Sequence, residues 1–492
     1  MKIIQFILTI FITGMLFSCE SDLDEINTNP NDPSHVSPAL LLTNISRTTF
    51  QAAGKDPLFA SRMIILTSGE NVFQYFKWNQ GSYSRYETLM QAEKMIEEAK
   101  LTNNNNYIAI AKFFKAYHFY NLTVMFGEIP YSEALKGESS QVFNPKYDSQ
   151  EAVFTGVLKE LEEANNLINT NDAISGDIIY NGNTTKWKKL INAFRLRVLM
   201  TLSNKGSING NSVASQFSAI VQNQNLMSSS DDNAQLVFFD RLDNRYTSFN
   251  DSDYGSSIYM SGSYIKLFQE RKDPRLFSFA ERTGQASSQG LALTNFNGYN
   301  GGDPIVPYAN NEALVQQQNI SKVNQRFYRD AINEPHSLLS YSEQELILAE
   351  AAARGWISSG AKNHYENSIK ASFDFYSRNS PNASTYFADF DVNNYLIQDL
   401  VNFDRATNLN AQLELIMTQR YLSAFHQQGW NFFFDYLRTN YPNLPIQTGT
   451  AKPYRFLYPT SEYNNNTTNL QESISRQFNG TDNINLKTWL YN

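Results

Sequence analysis

The chain has 492 residues, 40 basic and 48 acidic side chains, a formal charge of −8 and a single cysteine. The acidic balance, with no basic run, argues against a nucleic-acid partner. One cysteine leaves no internal disulfide and no cysteine metal site. An apolar core must therefore hold the fold, which a chain of this length can readily bury.

At the N-terminus Lys2 precedes the apolar run Ile3 to Phe17, interrupted by Gln5, Thr9, Thr13 and Gly14. Spanning a bilayer takes roughly 20 apolar residues. A charged start, a short apolar core and a small residue before a processing point mark a secretory signal peptide instead. Leu16-Phe17-Ser18-Cys19 resembles the lipobox of bacterial lipoproteins, although Phe17 is bulkier than usual there. The resemblance implies a signal peptide over residues 1–18, a mature chain of 492 − 18 = 474 residues and lipidation of Cys19. The rival reading is a plain secreted protein whose cleavage site lies near a cysteine. One acyl chain binds membrane only marginally, and the resemblance implies three. Glu20, Asp22, Asp24 and Glu25 then form a solvated tether or an export signal.

Residues 19–38 read as tether and lead-in, since Asn27 to Pro38 holds three prolines and almost nothing to bury. Helices are expected near Ile45–Phe76 and Tyr86–Ala99. Tyr107–Phe126 carries Ile110, Phe113, Phe114, Tyr117, Tyr120 and Val124 in steps of three and four, and Gly127 and Pro130 close it. Asp148 and Glu151 have capping-box spacing before the stripe Phe154, Val157, Leu158, Leu161, Ala164 and Ile168. A helix near Trp187–Ser203 follows. Periodicity fades over about 205–334, a loop-rich insertion with a strand signal at Ala234 and a helix at Ser263–Gln269. Ser342 and Glu345 repeat the capping spacing. Helices near Lys362–Ser377 and Ala411–Gln428 come next, and Arg455–Pro459 reads as a second strand.

Paired helices with short links are the texture of a helix-hairpin solenoid, here without a clean 34-residue consensus. The expected fold is mostly α: tetratricopeptide-like hairpin repeats as one body over 39–492, with an irregular loop-rich insertion.

No catalytic signature appears. The five histidines lie too far apart for a helical metal pair, and no phosphate loop or nucleophile elbow is present. No metal and no cofactor are expected. A glycosidase pair needs two acids held at about 5–9 Å, a spacing that sequence cannot supply. The chemistry that stands out is aromatic. Asn71–Glu87 places Trp78 and Tyr83 beside Asn79, past the expected end of a helix, where burial explains a large ring less well. Ring faces meet the C–H face of a sugar, and amides bond its hydroxyls. Tyr299, beside Phe296, Asn297 and Asn300, is a second such loop.

Several ordered blocks resemble the SusD/RagB-like nutrient-binding outer-membrane lipoproteins. They are "INTNPNDPSHVSPALLL" from Ile26, "AKFFKAYHFYNLTVMFGEIPYSEAL" from Ala111 and "YDSQEAVFTGVLKELEEA" from Tyr147. "SYSEQELILAEAAARGW" from Ser340, "ELIMTQRYLSAFHQQGWNFFFDYLRTNYP" from Glu414 and "RFLYPTSEYNNNTTN" from Arg455 continue in order. The resemblance implies a surface-exposed lipoprotein of the cell outer membrane, with the irregular loop-rich insertion as its ligand-binding region. It would close over a TonB-dependent (SusC-like) transporter and capture oligosaccharide, or in some members peptide, without catalysis. By position it points to Trp78, Asn79, Tyr83 and Tyr299 as ligand contacts. A surface glycoside hydrolase is the remaining alternative.

Overall fold

The computed structural model describes residues 35–52, 54–358 and 360–492. The signal segment, Cys19 and most of the tether lie outside the described residues. The protein is mostly helical, and twelve of its described helices have ten residues or more. α1 (Pro38–Thr49) starts on Ser37, whose hydroxyl accepts from the Ala39 amide, with proline in the first helical position. α2 (Arg85–Leu101) and α3 (Asn105–Phe126) are joined by three residues, and Asn104 caps the second. α3 is buried at 17 of its 22 positions, so it runs through the centre rather than along the surface. Gly127 ends it with φ 91°, and a Cβ there would stand 2.3 Å from the Gln477 side chain.

α4 (Gln150–Leu167), α5 (Thr184–Thr201) and α6 (Val213–Asn223) continue the array. α7 (Gly262–Arg271) lies in the irregular stretch. α8 (Tyr341–Ala353), α9 (Ala361–Asn379), α10 (Leu409–Leu422), α11 (Trp430–Thr439) and α12 (Thr467–Phe478) complete the frame. Sequential neighbours pack together from α1 to α6, α8 packs on α9 and α10, and α5 meets α8 to join the two sets.

That junction holds buried charge. Arg197 of α5 and Arg420 of α10 both pair with Glu343 of α8, and Arg420 also reaches Asp435 of α11 at 2.8 Å. Arg438 of α11 grips Glu350 of α8 through a bond of 2.8 Å and a second contact. Burial alone would raise the Glu350 pKa, but Arg438 and Arg354 outweigh it and hold the carboxyl below its usual range.

The strands form four two-stranded antiparallel ladders. β1 (Ile64–Leu66) pairs with β7 (Ile258–Met260), and β6 (Ala234–Leu236) with β8 (His336–Leu339). β2 (Ile129–Pro130) pairs with β3 (Tyr147–Asp148), and β4 (Ser207–Ile208) with β5 (Asn211–Ser212). The first two ladders stitch the 205–334 stretch to the helical frame. Side chains fix it further: Arg275 is buried against Asp273 at 2.6 Å, Ser372 at 2.9 Å and Gln419 at 2.9 Å.

Several local expectations shift. The helix expected over Ile45–Phe76 ends at Thr49; a five-residue helix (Asp56–Ala60) and β1 replace the rest. Pro57 starts that short helix, Arg62 turns left-handed (φ 60°) after it, and the β-branched Ile64 and Ile65 enter a strand. The cap of α4 is Ser149, whose hydroxyl accepts from the Ala152 amide; Asp148 instead accepts from the Tyr131 and Ser132 amides. The cap of α8 is Ser340, two residues before the expected Ser342. The helix expected to reach Gln428 stops at Leu422, because His426 and Gly429 take positive φ and the chain restarts as α11. Arg455–Pro459 is not a strand: Leu457 makes one isolated bridge to Gln80.

Candidate ligand-binding cleft

The aromatic segment beginning at Asn71 folds into a loop. The Asn71 side-chain oxygen accepts from the Phe73 and Gln74 amides, and Phe76 takes a left-handed φ of 56°. The Gly81 amide donates to the Leu457 carbonyl at 2.9 Å, pinning the loop to the segment before α12. This closure turns Trp78 inward. Its ring stacks on Phe456 with centroids 5.0 Å apart, and Trp430 and Phe433 meet it at 5.2 Å. The indole N–H donates to the Arg455 carbonyl at 2.9 Å. Gly81 sits so close to α3 that a Cβ would fall 2.4 Å from the Phe126 ring.

In front of this cluster lies a cleft of about 470 Å³. One end is aromatic and apolar: Phe73, Trp430, Phe456, Phe126 and Met125. Phe73 and Trp430 are half-buried, with centroids 5.5 Å apart. The other end is polar, lined by Asp56, Arg85, Glu87, Thr88 and His118. Ser82 and Ser84 lie on its rim. His118 and Phe126 are eight residues apart on α3, so the two ends are separated by about 12 Å at 1.5 Å per residue.

Electrostatics differ along the cleft. Burial pushes the His118 pKa well below its usual value and Arg85 adds to the shift, so the imidazole is neutral. Arg85 Nη1 donates to His118 Nδ1 at 3.3 Å, which leaves Nε2–H to donate to the Thr49 hydroxyl at 3.0 Å. Arg85 is half-buried and burial lowers its pKa, although a guanidinium stays charged at neutral pH. Asp56 and Glu87 are exposed. The cleft therefore offers ring surface at one end and both donors and acceptors at the other.

Two other grooves have walls of different character. One of about 480 Å³ between α4, α5 and α6 has no aromatic side chain in its wall. Another of about 580 Å³ beside residues 131–139 has Phe119 and Tyr131 in its wall, but charges there pair with each other, such as Lys115 with Glu93 at 2.7 Å.

The residues singled out from sequence divide. Trp78 is 2% exposed and part of the wall behind the cleft; no ring face is open. Tyr299 is 3% exposed, packed on Phe277, with its hydroxyl donating to the Leu293 carbonyl at 2.7 Å. Both depart from the expectation of ligand-facing rings, because neighbouring segments cover the loops that carry them. Tyr83 is half-buried against Tyr86 and Phe126, and Asn79 is exposed on the rim loop. The structure does not bring Tyr299 to the loop of Trp78, Asn79 and Tyr83. Trp430, Arg85 and His118, which line the cleft, do not stand out in the sequence. Trp430 joins Phe73 only through tertiary packing, and no local pattern links them.

The described residues thus define a protein with a helical-hairpin frame and an open cleft suited to holding a ligand. No curated protein sequence matches the chain. The sequence does match the SusD-like family, described as starch-binding and associating with the outer membrane, over residues 30–459. A protein of Bacteroides vulgatus, whose description links it to nutrient binding at the outer membrane, is 43% identical, covering 93% of this chain and 100% of its own, with a TM-score of 0.90. A SusD homologue from Bacteroides fragilis is 44% identical over 93% and 99%, with a TM-score of 0.88. A chitin-binding protein is 25% identical over 93% and 100%, with a TM-score of 0.69.

The chain belongs to the SusD-like family of nutrient-binding proteins of the outer membrane. Members of this family bind and do not catalyse, which sets aside the hydrolase alternative.

Proposed function

We propose that the protein captures oligosaccharide in the cleft between Trp430 and His118 and passes it to a TonB-dependent transporter. The observation that carries this reading is the pairing of half-buried Phe73 and Trp430 with Asp56, Arg85 and Glu87 across one cleft. A pyranose has an apolar C–H face and a rim of hydroxyls, and the two ends match those two parts. The description of the family as starch-binding and the chitin-binding relative agree with a sugar. Membership of an outer-membrane family supports delivery to a transporter, with the chain held at the cell surface through lipidated Cys19. Asn79, exposed on the rim loop, remains a candidate hydroxyl contact.

The test is calorimetric titration with a panel of neutral and acidic oligosaccharides and of peptides. The expectation is that sugars bind and that Trp430→Ala and Phe73→Ala each weaken binding about fivefold or more. An aromatic contact is worth on the order of 1 kcal/mol. Thermal melts of both variants check that they are folded. Heat of binding from peptides alone, or two folded variants that bind as the parent does, would remove the reading.

A further inference from the structure

Half-buried Arg85 is held differently from the fully buried guanidinium groups; half-buried Arg195 likewise has no carboxylate partner among the described residues, but it bonds to Asn192 at 3.2 Å in a groove without rings. Arg275 meets Asp273, Arg326 meets Glu334, Arg438 meets Glu350 and Arg455 meets Asp482. Arg62 is enclosed by the carbonyls of Phe59, Gln74 and Pro445. Arg85 has neither arrangement. Its contacts are the neutral His118 ring and the Tyr117 side chain. Among the described residues no carboxylate forms an ion pair with it. Asp56 and Glu87 line the same cleft, but both are exposed and neither reaches the guanidinium. A cation that has lost water without gaining a counter-charge is costly, and an arriving anion removes the cost.

We infer that the cleft selects an acidic oligosaccharide, with a carboxylate or sulfate group of the sugar seated on Arg85. The inference rests on the capture of sugar proposed above and names its class. The planar fork of a guanidinium suits two-point bonding to such an oxyanion. The geometry also sets spacing. Along α3, His118, which Arg85 contacts, stands about 12 Å from Phe126 at the aromatic end, so the acidic unit is not the stacked one.

The experiment titrates the full mature chain with galacturonate trimer, its methyl ester, a sulfated galactose trimer and maltotriose. The expected result is that an acidic trimer binds about tenfold or more tightly than the uncharged ester, as a charge-assisted bond implies. The better of the two acidic probes tells carboxylate from sulfate. Arg85→Gln should bring the acid-to-ester ratio close to one, and Arg85→Lys should keep part of it. Thermal melts report whether both variants fold. Equal binding of acid and ester, no binding of either acidic trimer, or a ratio that survives in Arg85→Gln overturns the inference. Should neutral sugars bind in the same series and respond to Trp430→Ala, only the role of Arg85 falls. Should no sugar bind at all, the capture reading falls with it.

Discussion

Trp78 shows what one residue can do for a cleft it does not line. Its ring fills the space behind Phe73 and Trp430, and its N–H is used by the Arg455 carbonyl. The residue is a brace for the wall of the cleft. Trp78→Ala should therefore cost about 3–5 kcal/mol of stability, the range for a large buried aromatic. Urea denaturation measures it. A variant of unchanged stability that loses sugar binding would show that the ring meets the ligand directly. The crowding of polar residues and rings between Asn71 and Glu87 drew attention to a loop that borders the cleft. It could not mark the burial, because the cover comes from Phe456, Phe433 and Trp430, far along the chain.

At the scale of elements, helices were the legible part. The stripe from Ile110 to Val124 and the glycine after it correspond closely to α3. Boundaries were read less well where two serines or acids competed for a cap, as at Ser149 and Ser340. The contact between α5 and α8 left no trace in local pattern, because its charges come from four separate helices. It is nonetheless open to test. Glu350→Gln would leave buried Arg438 with Asp435 alone and half-buried Arg354 without its partner, and α8 would lose its grip on α11. The expected loss is about 3–5 kcal/mol, as for other broken buried pairs. Chemical denaturation would show it as a lower midpoint, and a midpoint equal to the parent's would mean that packing alone holds α8 to α11.

Over the whole molecule, hairpins supply a rigid frame while loops and helix ends meet to form the cleft. The frame is legible in sequence because each helix carries its own period. The cleft is not, because Asp56, Arg85, His118, Trp430 and Phe456 come from five separate segments that only the tertiary fold assembles. Neutral imidazole, half-buried rings and a guanidinium without a counter-charge then share one opening, and the proposed capture of sugar rests on that arrangement. The direct measurement is a crystal structure of the protein with the tightest-binding trisaccharide. The account predicts the sugar between Trp430 and Arg85, one ring against the Phe73 and Trp430 side chains and Trp78 unmoved behind them. A sugar seated in the groove of α4, α5 and α6, or beside residues 131–139, would contradict it.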